Sequence, residues 1–318
     1  MYMFNQQFNT ANTTSRGQNI SKGQSQIVLT RNNITSTDGS NSTLVYQFPS
    51  SVSFSNHAIA LVSAQMYYSW NNIGNQQTLL NNTFRYTWKV GAAAAQPYTV
   101  TIPNGIYEIA DINNYLQYVF ITNGHYLINS AGQNVYYAEF LVSANRYAIQ
   151  VNTFPLPTVL PTGWTVPVAN GPAGYAGWPG FPSTTFNPSI TLPSNFNLIM
   201  GYTANFSTSQ NDGNNTNLSY FSSTAPQVQP QSTLFVSCSN ISNIYSNPTG
   251  IIYSITPTVA IGEQITTQVS EYAWANLTGT TSSLTFTLRG TNQTIINILD
   301  PTIVLVFLIK SLGDDMQK

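Results

Sequence analysis

The chain has 318 residues, with 9 Lys+Arg against 10 Asp+Glu and a net charge of −1. Charged residues make up only 6%, against roughly a quarter in an average globular protein. The basic residues form no cluster that would neutralise phosphates, which argues against direct nucleic-acid binding.

Solubility must come from Asn, Gln, Ser and Thr, and a nearly neutral surface of that kind favours association. Aromatics reach 13%, 19 of them Tyr, a residue that serves cores and interfaces alike. Cys238 is the single cysteine, so no intrachain disulfide can form. The start, Met1-Tyr2-Met3-Phe4-Asn5, lacks the basic and apolar regions of a signal peptide. A protein made in a reducing compartment is expected.

Residues 1–24 are polar without apolar period and read as a flexible N-terminal arm. Strand signals follow at Ile27–Leu29, Leu44–Phe48 and Ala58–Trp70. Phe84, Tyr86 and Trp88 then alternate with Arg85, Thr87 and Lys89, the period of a strand with one buried face. Tyr98–Ile102 continues that pattern. Past Pro103-Asn104-Gly105 the period changes. Ile112, Tyr115, Leu116, Val119 and Phe120 fall at helical spacing, Asp111 sits in the first turn, and Asn123-Gly124 stops the helix. Val135–Val142 and Arg146–Val151 read as a hairpin.

Residues 152–190 interleave prolines and glycines with Trp164, Tyr175, Trp178 and Phe181. A loop of this length is usually functional. Its aromatics must pack against their own domain or against a partner, so these four are candidate subunit or receptor contacts. Stacking on sugars is a third option for them. Phe196–Tyr202 reads as one helical turn ending at Gly201, and 207–232 as a loop. Strands resume at Leu234–Ser237, Ile251–Ile255, Ile265–Trp274, Leu284–Leu288 and Ile295–Ile298.

From Ile303 to Ile309 every residue is apolar. The run is too short for a membrane helix, which needs roughly 20 residues, and its β-branched content favours a strand buried on both faces. A central strand that arrives last must slot between earlier ones. The expected fold is all-β, a single antiparallel jelly-roll sandwich. It would comprise residues 25–102 and 227–312, with a mostly β insertion holding one short helix at 103–226 and a polar tail at 313–318.

Chemistry-bearing motifs are sparse. His57 and His125 are the two histidines and read as surface or turn residues, with no Gly-x-Ser-x-Gly elbow beside them. Glu263, Glu271 and Asp300 offer a thin basis for a carboxylate pair, and Asp300 before Pro301 reads as a turn former. There is no zinc spacing and no phosphate-binding glycine loop. Cys238 reads as a small core residue. No enzyme, metal or cofactor is expected.

Three stretches together carry a resemblance. They are Gly105-Ile106-Tyr107 leading into Asp111-Ile112-Asn113-Asn114-Tyr115-Leu116-Gln117, then Leu198-Ile199-Met200-Gly201-Tyr202, then Leu299-Asp300-Pro301 before the terminal strand and Lys310. In that order and spacing, over about Ile59 to Lys310, the chain resembles the penton, or minor capsid, proteins of virophages and polinton-like viruses. Those proteins are similar to vertex proteins of related large DNA viruses. The resemblance implies an upright jelly roll and a homopentamer closing each five-fold vertex of an icosahedral shell. It also implies a neighbouring major capsid protein and an outward domain that a host receptor could meet. The virion, assembled in the host cytoplasm, is the implied location. A trimeric glycan- or receptor-binding module of the fibre-head type is the alternative that the residues leave open.

Overall fold

The computed structural model describes residues 24–312, apart from 36–39, 76–78, 171–173, 204, 214, 229–231, 244–245, 247–249 and 292. The expected N-terminal arm and polar tail lie outside the described residues, except Gln24, which opens the first strand.

In chain order the elements are β1 (Gln24–Leu29), β2 (Thr43–Ser53), β3 (His57–Tyr67), β4 (Thr83–Trp88), β5 (Gln96–Thr101) and α1 (Ile109–Asn123). Then come β6 (Leu127–Ile128), β7 (Asn134–Val135), β8 (Ala138–Ser143), β9 (Ala148–Thr153), β10 (Phe186–Asn187), β11 (Ile190–Leu192) and α2 (Phe196–Ile199). The last are β12 (Phe206–Ser207), β13 (Asn211–Asp212), β14 (Leu218–Phe221), β15 (Leu234–Cys238), β16 (Ile251–Ile255), β17 (Gln264–Gln268), β18 (Ala275–Leu277), β19 (Thr280–Arg289) and β20 (Val304–Ser311).

Two sheets build the first lobe, ordered β1-β20-β3-β17 and β16-β15-β19-β2, with β18 continuing the β17 edge of β3. Every pairing is antiparallel. Counted along the chain, with β17 and β18 sharing one place, strands 1, 8, 3 and 6 face strands 5, 4, 7 and 2. That order is a jelly roll. Alternation supplies its core: Leu284, Phe286 and Leu288 of β19 point inward, as do Leu305, Phe307 and Ile309 of β20 and Ile59 and Leu61 of β3. Phe286 and Phe307 stack across the two sheets at 4.4 Å. Pro49 lies in β2, an edge strand, where a missing N–H costs no ladder bond.

β20 is the central strand expected from the sequence, but its two faces differ. A bulge between Val306 and Phe307 interrupts its pairing with β3. Leu308 is buried on the outer side, while Val304 and Val306 there are only half-buried. The expectation of full burial on both faces fails because the sandwich covers one face alone. Two other strand expectations also change. Ile265–Trp274 splits into β17 and an irregular stretch before β18. Ile295–Ile298 makes single bridges to Arg289 and Trp70 instead of a strand.

The second lobe is inserted between β3 and β15. Its sheets are β12-β11-β4-β5 and β14-β9-β8, packed with α1 around a separate core. Ile109, Ile112, Leu116 and Phe120 form the buried stripe of α1, the helical period read from the sequence. The Asp111 carboxylate accepts from the Glu108 N–H at 2.9 Å and closes the first turn. The change of sheet comes earlier than the expected boundary at 102/103. Arg85 and Tyr86 of β4 pair with Thr191 and Ile190, not with jelly-roll strands. Period two shows that β4 has a buried face; it does not say which sheet β4 joins.

Asn72 ties the crossings between lobes. Its amide donates to the carbonyls of Tyr107 (2.7 Å) and Val228 (2.6 Å). Its oxygen accepts from the Tyr107 N–H at 2.9 Å. The outgoing chain, the lead-in to α1 and the returning chain therefore meet on one satisfied side chain.

Candidate interaction surfaces

The Pro/Gly segment wraps the C-terminal end of α1. Thr165 exchanges backbone hydrogen bonds with Ile128 (2.9 and 3.0 Å), and Ala176 N–H reaches Thr122 O at 2.9 Å. Gly124 caps the helix at φ 70°. A Cβ there would come within 2.3 Å of the Gly177 carbonyl, so glycine serves both the left-handed cap and the close approach. Trp178 stands edge-on to Trp88 at 5.8 Å and tilts against Phe181 at 4.9 Å. Trp164, Trp178 and Phe181 are part-buried against the second core. Tyr175 is half-buried and bridges backbone to Asn170. The structure thus brings Trp178 and Phe181 together. Trp164 and Tyr175 sit further along the same wrap, beside the exposed Val159 and Val168.

His125 departs from its surface reading: it is 2% exposed. Trp88 stacks on its ring at 4.4 Å, and Tyr98 meets it edge-on at 4.6 Å. The Tyr86 hydroxyl accepts from the Asn123 amide at 2.9 Å and lies 2.7 Å from His125 Nδ1. Burial pushes His125 down to about 3, so the ring is neutral across the physiological range. Burial pushes the Tyr86 hydroxyl up. The residue after Asn-Gly points inward because Gly124 reverses the chain over the end of α1.

The other titratable candidates stand apart from this cluster. His57 Nδ1 lies 2.8 Å from the Ser55 carbonyl at the start of β3. Glu263 accepts from the Ala260 N–H at 3.0 Å, and Asp300 accepts from the Thr302 N–H at 2.7 Å as the turn former expected. Cys238 is buried in the first core, its thiol pushed up to about 11 by burial. Lys89 and Asp212 form a 2.9 Å ion pair that ties β4 to β13.

The two outer faces of the jelly roll differ. On one sheet the outward row of β20 is Val304, Val306, Leu308 and Lys310, between Gln24, Gln26 and Val28 of β1 and Ala58, Ala60, Ser63 and Gln65 of β3. Ala58, Ala60 and Leu308 are buried, and Val304 and Val306 are half-buried. Val28 is 45% exposed. The other sheet turns Thr43, Thr285, Thr287 and Ser283 outward.

No family model matches the chain, and no curated protein does. Among solved structures, it is similar to the mavirus penton protein. The identity is 9%, the alignment covers 91% of this chain and 99% of that one, and the TM-score is 0.41. Mavirus is a virophage.

One surface went unread in the sequence. The hairpin β8–β9 ends in Arg146 and Tyr147, and β14 brings Phe221 beside it. Arg146 and Phe221 are distant in sequence, and only strand register joins them.

Proposed function

We propose that the protein is a non-enzymatic structural capsid protein whose homopentamers close the five-fold vertices of an icosahedral shell. It would be assembled in the host cytoplasm and seated against the major capsid protein. The observation that carries this reading is the two-sheet jelly-roll sandwich with unlike outer faces, one turning out Val28, Val304 and Val306 and the other Thr43, Ser283, Thr285 and Thr287. A ring that closes joins two different patches of neighbouring copies, and such a molecule has two to offer. The sequence motifs that resemble penton proteins point the same way, as does a charge content of 6%. The inserted lobe would face outward. On its Pro/Gly wrap, Trp164 and Tyr175 would meet a neighbour or receptor, with Trp178 and Phe181 holding the wrap in shape.

Light scattering coupled to size exclusion tests it. A mass near five times 34.9 kDa is expected, little changed by salt because few charges are available to the contact. A trimer would favour the fibre-head alternative. A protein that stays monomeric both alone and with the major shell protein would overturn the reading.

A further inference from the structure

We propose that the solvent face of the β8–β9–β14 sheet binds a glycan bearing a carboxylate. Strand register sets the face. Glu139, Asn152 and Ser219 stand in one row, and Leu141, Gln150 and Phe221 in the next. Phe140 and Val151 point the other way, into the second core.

The first row is already ordered. The Asn152 amide donates to Glu139 at 2.9 Å, and its oxygen accepts from Gln150 and Ser219 at 2.7 Å each. Asn152 is itself buried, and it fixes Glu139 and Ser219, the groups that would meet sugar hydroxyls, before a ligand arrives, which lowers the entropy cost of binding. The hairpin end supplies the charge. The Arg146 guanidinium lies over the Phe221 ring at 4.2 Å. Among the described residues it has no ion-pair partner, since the one such pair is Lys89 with Asp212. A guanidinium resting over a ring can still offer N–H donors to a carboxylate.

Tyr147 follows. It is 81% exposed and holds φ 49°, a left-handed conformation that a bulky residue rarely adopts. Its ring offers flat, amphipathic surface for the apolar side of a sugar.

Charge selects the occupant. One cation at the hairpin end and one carboxylate, Glu139, further along the strand suit a ligand with a single acid at one end and neutral hydroxyls beyond it. Side chains two apart on a strand are roughly 6.7 Å apart, so the two rows and the hairpin end span one or two sugar rings. A polyanion would meet Glu139, and an apolar peptide would leave the Arg146 guanidinium without a counter-charge. This inference goes beyond the vertex reading and does not depend on oligomeric state.

The test is calorimetric titration of the full-length protein with sialyllactose and a glucuronate-terminated disaccharide, with lactose as the neutral control. Saturable binding of at least one acidic sugar and none of lactose is expected. Arg146→Met, which keeps the stem, should weaken it at least tenfold. Tyr147→Gly, which suits the positive φ, should weaken it severalfold without lowering Tm. The proposal falls if neither acidic sugar binds at millimolar concentration, or if lactose binds equally well. It also falls if Arg146→Met binds undiminished, or changes the oligomeric mass and so marks the face as a contact between copies.

Discussion

The two lobes of this chain are stabilised in different ways. The jelly-roll core is mostly aliphatic, layered from alternating strands, with Phe54, Tyr68, Trp70, Phe286 and Phe307 as its buried rings. The inserted lobe is aromatic and partly polar. It buries Phe84, Tyr86, Trp88, Phe120 and Phe140 together with His125, Lys89, Asn187 and Asn197. A sandwich can satisfy its backbone with ladders and fill the space between with branched side chains. A lobe built from short strands, a helix and a long wrap must satisfy irregular backbone and buried polar groups one at a time. The first kind of core depends on volume, and the second also on individual hydrogen bonds such as those of Tyr86 with Asn123 and His125 and of the Asn187 amide with Thr153 and Thr216.

That contrast can be broken from either side. The largest effect is expected at Phe307, where truncation to alanine removes the 4.4 Å stack on Phe286 and opens a cavity in the first core. Urea unfolding should show a loss of about 3–5 kcal/mol. In the second lobe the sensitive variable is acid. His125 takes a proton near pH 6.5 when unfolded but only at about 3 when folded. The unfolded chain therefore binds more protons throughout that window, and stability falls as pH drops through it. From pH 7 to pH 4 the loss is expected to be about 3 kcal/mol. Tm measured across that range should fall more steeply for the natural chain than for His125→Gln, and parallel curves would refute the assignment. The smallest effect on folding is expected at Val28, at the edge of the aliphatic face. Val28→Arg should change stability by less than about 0.5 kcal/mol and yet lower the assembled mass seen by light scattering. An unchanged mass would remove that face from the contact.

The jelly roll was legible because alternation survives in the sequence. Leu284, Phe286 and Leu288 announce an inward face, and the unbroken run from Ile303 announces a central strand. The inserted lobe was legible only in part. Helix α1 and its stop at Gly124 were readable from period and turn chemistry, as was the single helical turn before Gly201. The burial of His125 was not, since an Asn-Gly stop ordinarily leads into solvent and here Tyr86, Trp88 and Tyr98, distant in sequence, close over the ring. Trp164, Tyr175, Trp178 and Phe181 were singled out by composition. Their packing around the end of α1 depended on contacts with Trp88 and Gly124, which are distant in sequence.

The sequence by itself determined the strand class, the one long helix, the late central strand and a surface nearly free of charge. These follow from local period and composition. Tertiary structure alone decided that β4 and β5 belong to the inserted lobe, that one sheet face is left half-covered, and that Arg146 lies on Phe221. Each of these is a matter of which strand pairs with which, and a period-two pattern fits any sheet that can bury its apolar side.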